Sequence, residues 1–325
     1  MNTSKVVIIS TGGTIAMRYD PVRKGIFPAV TGQELVEAIP PLVEVCPIEV
    51  YEFSNIPSPH MTPELMLKLA QKVEEILGGE DIRGVVITHG TDTLEETAYF
   101  LSLILKSNKP VCLTAAMRSS AEISPDGPKN ILDAVRAAAA PEASGKGVMV
   151  VMNQEIHSAR DVTKTHTAST DTFKSPFWGP IGYVDEDRVL FQREVRKLDK
   201  IITDRIVEDV YLVKLAAGSD DFLIQALVDK GVKGIVVEGL GRGNIPPAVI
   251  PGIKRAIYKN IPVVLATRVP MGRVLDIYGY EGGAKPLKEM GVIFAGELSG
   301  QKARIKLMLA LTKTNDPQQI AKYFN

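Results

Sequence analysis

Two short segments hold the residues of this chain whose types and spacing suit a reaction. Ile8-Ile9-Ser10-Thr11-Gly12-Gly13-Thr14-Ile15-Ala16 carries an apolar run into paired glycines and a threonine. Gly84-Val85-Val86-Ile87-Thr88-His89-Gly90-Thr91-Asp92-Thr93-Leu94 carries a second apolar run into a hydroxyl, a carboxylate and a helix start. In open parallel sheets, ligands bind at the carboxyl ends of strands, where loops project and helix N-termini present unpaired N–H groups. Thr14 and the Thr91-Asp92 pair are both expected there. The adjoining glycines remove the side chains that would hold a ligand carbonyl away from the backbone. Such an arrangement suits a hydroxyl nucleophile, although a threonine or aspartate after a strand also serves simply to cap the next helix.

A threonine hydroxyl attacks only when a base takes its proton. Of the four histidines, His60, His89, His157 and His166, only His89 lies in a motif, and its place before a glycine turn reads as structural rather than catalytic. A lysine beside an aspartate is the alternative, because a partly desolvated lysine can lose its proton near neutral pH. Arg160-Asp161-Val162-Thr163-Lys164-Thr165 supplies Lys164, which by spacing alone is one of many loop lysines. Gly239-Leu240-Gly241-Arg242-Gly243 has a glycine rhythm but lacks G-x-G-x-x-G and is soon followed by Pro246-Pro247, so it reads as a turn. The chain has neither a G-x-S-x-G elbow nor a Walker loop.

The elements that must position these residues follow from periodicity. Short β-branched runs at Val6–Ser10, Glu49–Phe53, Gly84–Thr88, Val111–Thr114 and Val148–Met152 alternate with helical periods, which predicts βαβ units around a parallel sheet. Thr62-Pro63 opens an amphipathic helix with Met66, Leu69, Ala70, Val73, Ile76 and Leu77 on one face, closed by Gly78-Gly79. Thr31-x-x-Glu34 and Asp92-x-x-Glu95 have the spacing of capping boxes, and the second puts Asp92 at a helix N-terminus. Residues 153–192 lack periodicity and read as ordered loops and short strands. The charged run Arg193-Glu194-Val195-Arg196-Lys197-Leu198-Asp199-Lys200 reads as part of a linker. Beyond it, strands are expected at Val210–Leu215, Gly234–Glu238, Pro262–Thr267 and Val292–Ala295, with helices at Phe222–Lys230, Ala248–Lys259 and Gln301–Thr312. The domains are therefore 1–192, a linker at 193–209, and 210–325.

Composition narrows the function classes. A chain of 325 residues exceeds what one core usually serves, which again favours two unequal domains. Lys plus Arg equals Asp plus Glu at 38 each, so there is no long-range field for nucleic acid or an anionic membrane. The start leads into only four consecutive apolar residues, too few for a signal peptide, and no run is long enough to span a bilayer, so cytoplasmic residence is expected. Cys46 and Cys112 have neither metal-like nor disulfide spacing and read as buried small hydrophobes.

The two threonine motifs, TGGTIA and HGTDT, resemble the signatures of the bacterial-type L-asparaginase/glutaminase family. Val150-Val151-Met152-Asn153 with Ala159–Thr165 is similar to that family's lysine segment, and Ala115-Ala116-Met117-Arg118, Asp126-Gly127-Pro128, Arg268-Val269-Pro270 and Gln301-Lys302-Ala303-Arg304 extend the likeness over nearly the whole chain. The resemblance implies a large flavodoxin-like N-terminal domain, a smaller Rossmann-like C-terminal domain and an amidohydrolase that converts L-asparagine to L-aspartate and ammonia. It implies Thr14 as nucleophile, with Thr91, Asp92 and Lys164 as the proton-handling group and Ser58, Ala116 and Glu281 as substrate contacts. It implies no metal or organic cofactor, and a homodimer or homotetramer in which the C-terminal carboxylate serves a neighbouring subunit.

There are departures from the family pattern. Ser58 is present, but Pro59 stands where the family has glutamine. The lid, residues 17–30, offers Tyr19 early and Phe27 near the place of the family's tyrosine. Asp276-Ile277-Tyr278-Gly279-Tyr280-Glu281 aligns poorly, with Glu281 chosen as the carboxylate, and the family's C-domain asparagine is not found in Lys214–Asp220. Glutaminase-asparaginase activity, a D-amino-acid amide preference and a non-catalytic amino-acid-binding relative are the alternatives. The subunit of the transfer-RNA amidotransferase that uses these motifs would carry a preceding domain, whereas the first strand here begins at Lys5.

Overall fold

A computed structural model describes residues 4–20, 22–195 and 200–324. The chain divides into two compact units, Met1–Ile202 and Thr203–Asn325. Within the expected linker, Arg196–Asp199 lie outside the described residues.

The first unit is organised on β1 (Lys5–Gly12), β2 (Ile48–Ile56), β3 (Ile82–Thr88), β4 (Val111–Thr114), β5 (Val148–Met152), β6 (Glu155–Ser158), β7 (Gly182–Asp185) and β8 (Arg188–Phe191). They form one sheet in the order β8-β7-β6-β5-β4-β3-β1-β2. The five strands from β1 to β5 are mutually parallel, and β6 to β8 extend the sheet antiparallel. The parallel part has the flavodoxin-like order 2-1-3-4-5, in which the chain passes to one side after β1 and to the other before β3. The carboxyl ends of β1 and β3 thus meet at the switch point of the sheet, and β1 pairs directly with both β2 and β3. That crevice is where this topology opens a ligand site.

Burial explains the apolar runs. Val6, Val7, Ile8 and Ile9 of β1 are all at most 1% exposed, as a strand covered on both faces requires. Val6 and Ile8 share a core with Leu42, Ile131 and Val135. Three helices matter to the site: α1 (Pro63–Leu77), α2 (Leu94–Ile104) and α3 (Gly127–Ala139). α1 is capped by the Thr62 hydroxyl, which accepts from Leu65 N–H, with Pro63 in the first turn, and it buries Met66, Leu69, Ala70, Val73 and Leu77. The expected capping box at Thr31 and Glu34 is formed reciprocally. Both cysteines are buried and free.

In the aperiodic stretch 153–192, β6 to β8 join the main sheet, and Thr163–Lys164 pairs with Phe173–Lys174 as a separate short ladder. These strands are only two to four residues long, so they leave almost no period to read.

The second unit is a four-stranded parallel sheet in the order β9 (Val210–Lys214), β10 (Gly234–Gly239), β11 (Val263–Thr267), β12 (Ile293–Phe294). Helices Phe222–Lys230, Ile250–Tyr258 and Gly300–Ala310 fall where the pattern placed them, and Ala284–Glu289 and Pro317–Phe324 are additional. The glycine run after β10 is a tight turn in which the N–H groups of Leu240 and Asn244 donate to each other's carbonyl oxygens. Gly241 and Gly243 both have positive φ, so these glycines serve a turn, as expected. Among the described residues, no helix is long and apolar enough to cross a membrane.

Candidate active site

The two threonine loops touch through their glycines. Gly13 has φ +82°, and a Cβ placed on it would lie 2.3 Å from the Gly90 Cα, so only a bare backbone fits between them. A Cβ on Gly90 would in turn lie 2.7 Å from the Ser58 Cβ and Oγ, which brings the loop after β2 into the same cluster. Ser10 and Thr88, at the ends of β1 and β3, are register partners, and the Thr11 hydroxyl donates to Thr88 O at 2.8 Å. Thr14 follows in a single 3-10 turn, Thr14–Ala16, and is half-buried. Among the described residues its hydroxyl has no hydrogen-bond partner.

The second loop is held by several side-chain hydrogen bonds. The Lys164 Nζ donates to Thr91 Oγ1 at 2.9 Å and to Asp92 Oδ1 at 2.6 Å, although Lys164 is distant in sequence. The Asp92 N–H donates to Ser58 Oγ at 3.1 Å, which leaves the Ser58 hydrogen free to donate onward. The Thr93 hydroxyl donates to Ser58 O at 2.8 Å. Thr91 and Ser58 are 7% and 5% exposed, so these groups are largely desolvated.

His89 is structural, as its place before the glycine turn implied. It is fully buried, and burial lowers its pKa to about 4. Its Nδ1 lies 2.8 Å from Gly90 O, and a carbonyl can only accept, so Nδ1 carries the proton. Nε2 then accepts from Thr97 Oγ1 at 3.0 Å. A neutral ring in one tautomer thereby fixes the Gly90 carbonyl, and with it the Gly90–Thr91 peptide. The other histidines are engaged or exposed elsewhere: His157 with Ser175 and Glu155, His166 with the N–H groups of Ala168 and Ser169, and His60 at the surface.

The capping expectation at Asp92 needs correction. α2 has Thr93 at its N-cap with no side-chain cap bond, and the Asp92 carboxylate is turned to Lys164 instead. A bond from the ammonium carries charge on both partners, whereas one from a peptide N–H would carry it on the carboxylate alone. Glu95, expected to close that box, accepts from Thr163 Oγ1 at 3.0 Å and Lys164 N at 3.4 Å through one oxygen. Sequence reasoning thus found Glu95 but gave it the wrong partner. The segment that contacts it lies nearly seventy positions away and shows no period.

The loop after β4 is held by Asp126, whose carboxylate accepts from the N–H groups of Met117 and Arg118. Asn130 Nδ2 donates to Ala115 O at 3.0 Å. These bonds place buried Ala116 beside Gly127, at the start of α3, which also packs against Ile15 of the turn that carries Thr14. The segment expected to serve as a lid is a hairpin, Met17–Asp20 against Gly25–Pro28. Phe27 has no hydroxyl and lies under the Arg23 guanidinium, 5.2 Å from its ring centroid. The Tyr19 side chain lies outside the described residues' side chains. Glu281 belongs to the second unit, is exposed and has no ion-pair or hydrogen-bond partner among the described residues. Also among them, no group of three or more His, Cys, Asp or Glu side chains is arranged to hold a metal.

Known proteins share this organisation. The family model described as Asparaginase, N-terminal, matches residues 5–197, and the Glutaminase/Asparaginase C-terminal domain matches residues 209–324. L-asparaginase 2 of Bacillus subtilis is 40% identical over 330 aligned positions, covering 98% of this chain and 85% of that protein. A glutaminase-asparaginase of Pseudomonas fluorescens is 34% identical, with 99% and 90% covered. The crystal structure of a probable cytoplasmic L-asparaginase from Campylobacter jejuni superimposes with a TM-score of 0.89 at 40% identity, covering 99% of both chains. With both domain models matched in sequence order and two threonine loops meeting at the switch point of its larger sheet, this chain belongs to the asparaginase family.

Proposed function

We propose that the protein is an amidohydrolase that converts L-asparagine to L-aspartate and ammonia with Thr14 as nucleophile. The observation that carries this reading is the Lys164–Thr91–Asp92 network on the loop packed against the Thr14 turn. The Thr14 Oγ attacks the side-chain amide carbon, and backbone N–H groups of the two loops stabilise the oxyanion. The hydroxyl proton passes through Thr91 and Lys164 to the amide nitrogen, which leaves as ammonia. Water then attacks the Thr14 ester, returns a proton to Oγ and releases aspartate. Ser58 donates its free hydrogen to the substrate's α-carboxylate, and the Ala116 main chain borders the side-chain amide.

The amino group of the substrate is held by Glu281 of a neighbouring subunit, within a homodimer or homotetramer. Cytoplasmic residence is part of the same reading, supported by the name of the Campylobacter jejuni neighbour. Thr14→Ala and Glu281→Ala chains, each inactive alone, should recover roughly a quarter of wild-type activity when unfolded and refolded together, because half the dimers are mixed and each mixed dimer has one intact site. No recovery in mixed dimers verified by mass spectrometry would remove the shared site.

A second reading, dual glutaminase-asparaginase activity, is favoured by relatives of that name at 34% and 36% identity. One methylene in a closed site is worth about 1–3 kcal/mol, so the two activities differ by degree. Ammonia release with L-asparagine, L-glutamine and D-asparagine in parallel decides between them. Release from none of the three would overturn the amidohydrolase reading.

A further inference from the structure

Lys164 is the farthest-travelled member of the candidate site, and the strand that brings it is slight. Thr163–Lys164 pairs with Phe173–Lys174 in a ladder of two residues on each side, continued by the Thr165 N–H and hydroxyl, which both donate to Thr172 O. So short a ladder has little stability of its own. The Lys164 side chain is four methylenes long and has several rotatable bonds, so its amine reaches Thr91 reliably only if its main chain is fixed.

Glu95 is what ties that main chain to α2. It lies in the first turn of α2, is 7% exposed, and accepts from both the Thr163 hydroxyl and the Lys164 N–H. The positive end of the helix favours its negative charge. Thr91 and Asp92, the targets of the Lys164 amine, immediately precede the same helix. One rigid element therefore holds Lys164 at both ends: its main chain through Glu95 and its amine through Thr91 and Asp92.

We propose that Glu95 is a positioning residue that acts through Lys164, fixing the lysine main chain so that its amine stays on Thr91. The inference rests on the proton path assigned above to Lys164. Glu95 is not placed against substrate, so its loss lowers turnover and leaves substrate affinity nearly unchanged. Displacing a reacting group by about 1 Å can cost about a hundredfold in rate.

The test is a double-mutant cycle on the full-length enzyme, with kcat and KM for L-asparagine read by ammonia release and folding read by thermal melting. Glu95→Ala should lose about a hundredfold in kcat with KM changed less than about threefold. Glu95→Gln keeps an oxygen that can accept both bonds and should restore at least about tenfold of that loss. In a Lys164→Ala background, Glu95→Ala should cost almost nothing more, because the lysine it positions is gone. A merely structural carboxylate would instead reduce turnover by the same factor in both backgrounds. That additive result overturns the proposal, as does near-wild-type turnover in folded Glu95→Ala. If Glu95→Ala fails to fold, Thr163→Val removes one of the two donors at nearly constant volume and takes its place in the cycle. Full activity in Lys164→Ala would remove the assigned proton path and this inference together, whereas a required Lys164 with a dispensable Glu95 removes only the inference.

Discussion

The two threonine loops leave neighbouring strands of one sheet at the same edge, yet they are finished differently. The Thr14 loop has two positive-φ glycines and a hydroxyl with no partner among the described residues. The Thr91 loop has a locked histidine and a hydroxyl that receives Lys164, and its aspartate is tied to both Lys164 and Ser58. Under the proposed function, the first loop leaves an oxygen free to attack and the second holds the groups that move a proton. A hydroxyl already committed to strong hydrogen bonds would have to break them to become a nucleophile.

The sharpest way to break this contrast is Thr14→Ala. Turnover should fall at least about a thousandfold, or about 4 kcal/mol of transition-state stabilisation, while the melting temperature barely moves. A variant that keeps a tenth of the activity would take the nucleophile role away from Thr14.

The second loop should show its wiring in acid. The folded pKa of His89, about 4, lies below its value of about 6.5 in an unfolded chain. Between those values the unfolded state binds the extra proton, so stability falls as pH drops from about 6.5 to about 4 and is fully retained above that window. The loss should reach about 3 kcal/mol by the lower limit. Urea unfolding of wild type and His89→Asn at pH 7, 5.5 and 4 measures it. Parallel losses in the two proteins would assign the acid sensitivity to other groups.

Lys164→Arg retains the positive charge but cannot give up its proton, so turnover should fall about a hundredfold. Thr91→Val is nearly isosteric and should lose a similar factor in kcat. If Thr91→Val only raises KM, the hydroxyl binds substrate and the contrast between the loops fails. The smallest effect is expected at Ser58, whose hydroxyl lies at the edge of the second loop. Ser58→Ala should raise KM for L-asparagine about tenfold, the worth of one hydrogen bond to a charged group, with kcat nearly preserved. A change in kcat alone would move Ser58 from grip to proton path.

The central strands β1, β3, β4 and β5 were legible because each is an apolar run buried along nearly its whole length, so burial writes directly into residue type. The Thr62-Pro63 helix was legible for a similar reason: its cap, first-turn proline and apolar stripe are all local signals. The second unit's main helices and its glycine turn could likewise be read locally. What the chain could not announce is pairing between distant segments. The three antiparallel strands β6 to β8 are too short to show a period, and their place in the sheet depends on neighbours elsewhere in the sequence. Asp92 and Glu95 have the spacing of a capping box, and local chemistry alone would make them one. Tertiary structure brought Lys164 and Thr163 against them, and the two carboxylates bond these distant partners in place of the local cap. The sequence by itself determined which strands carry the two threonine motifs. Only the tertiary structure decided that the Thr14 hydroxyl is left open while that of Thr91 is bound. Hydrogen-bond partners are allotted by proximity in space, and two similar strand-to-loop motifs acquire different neighbours once the chain has folded.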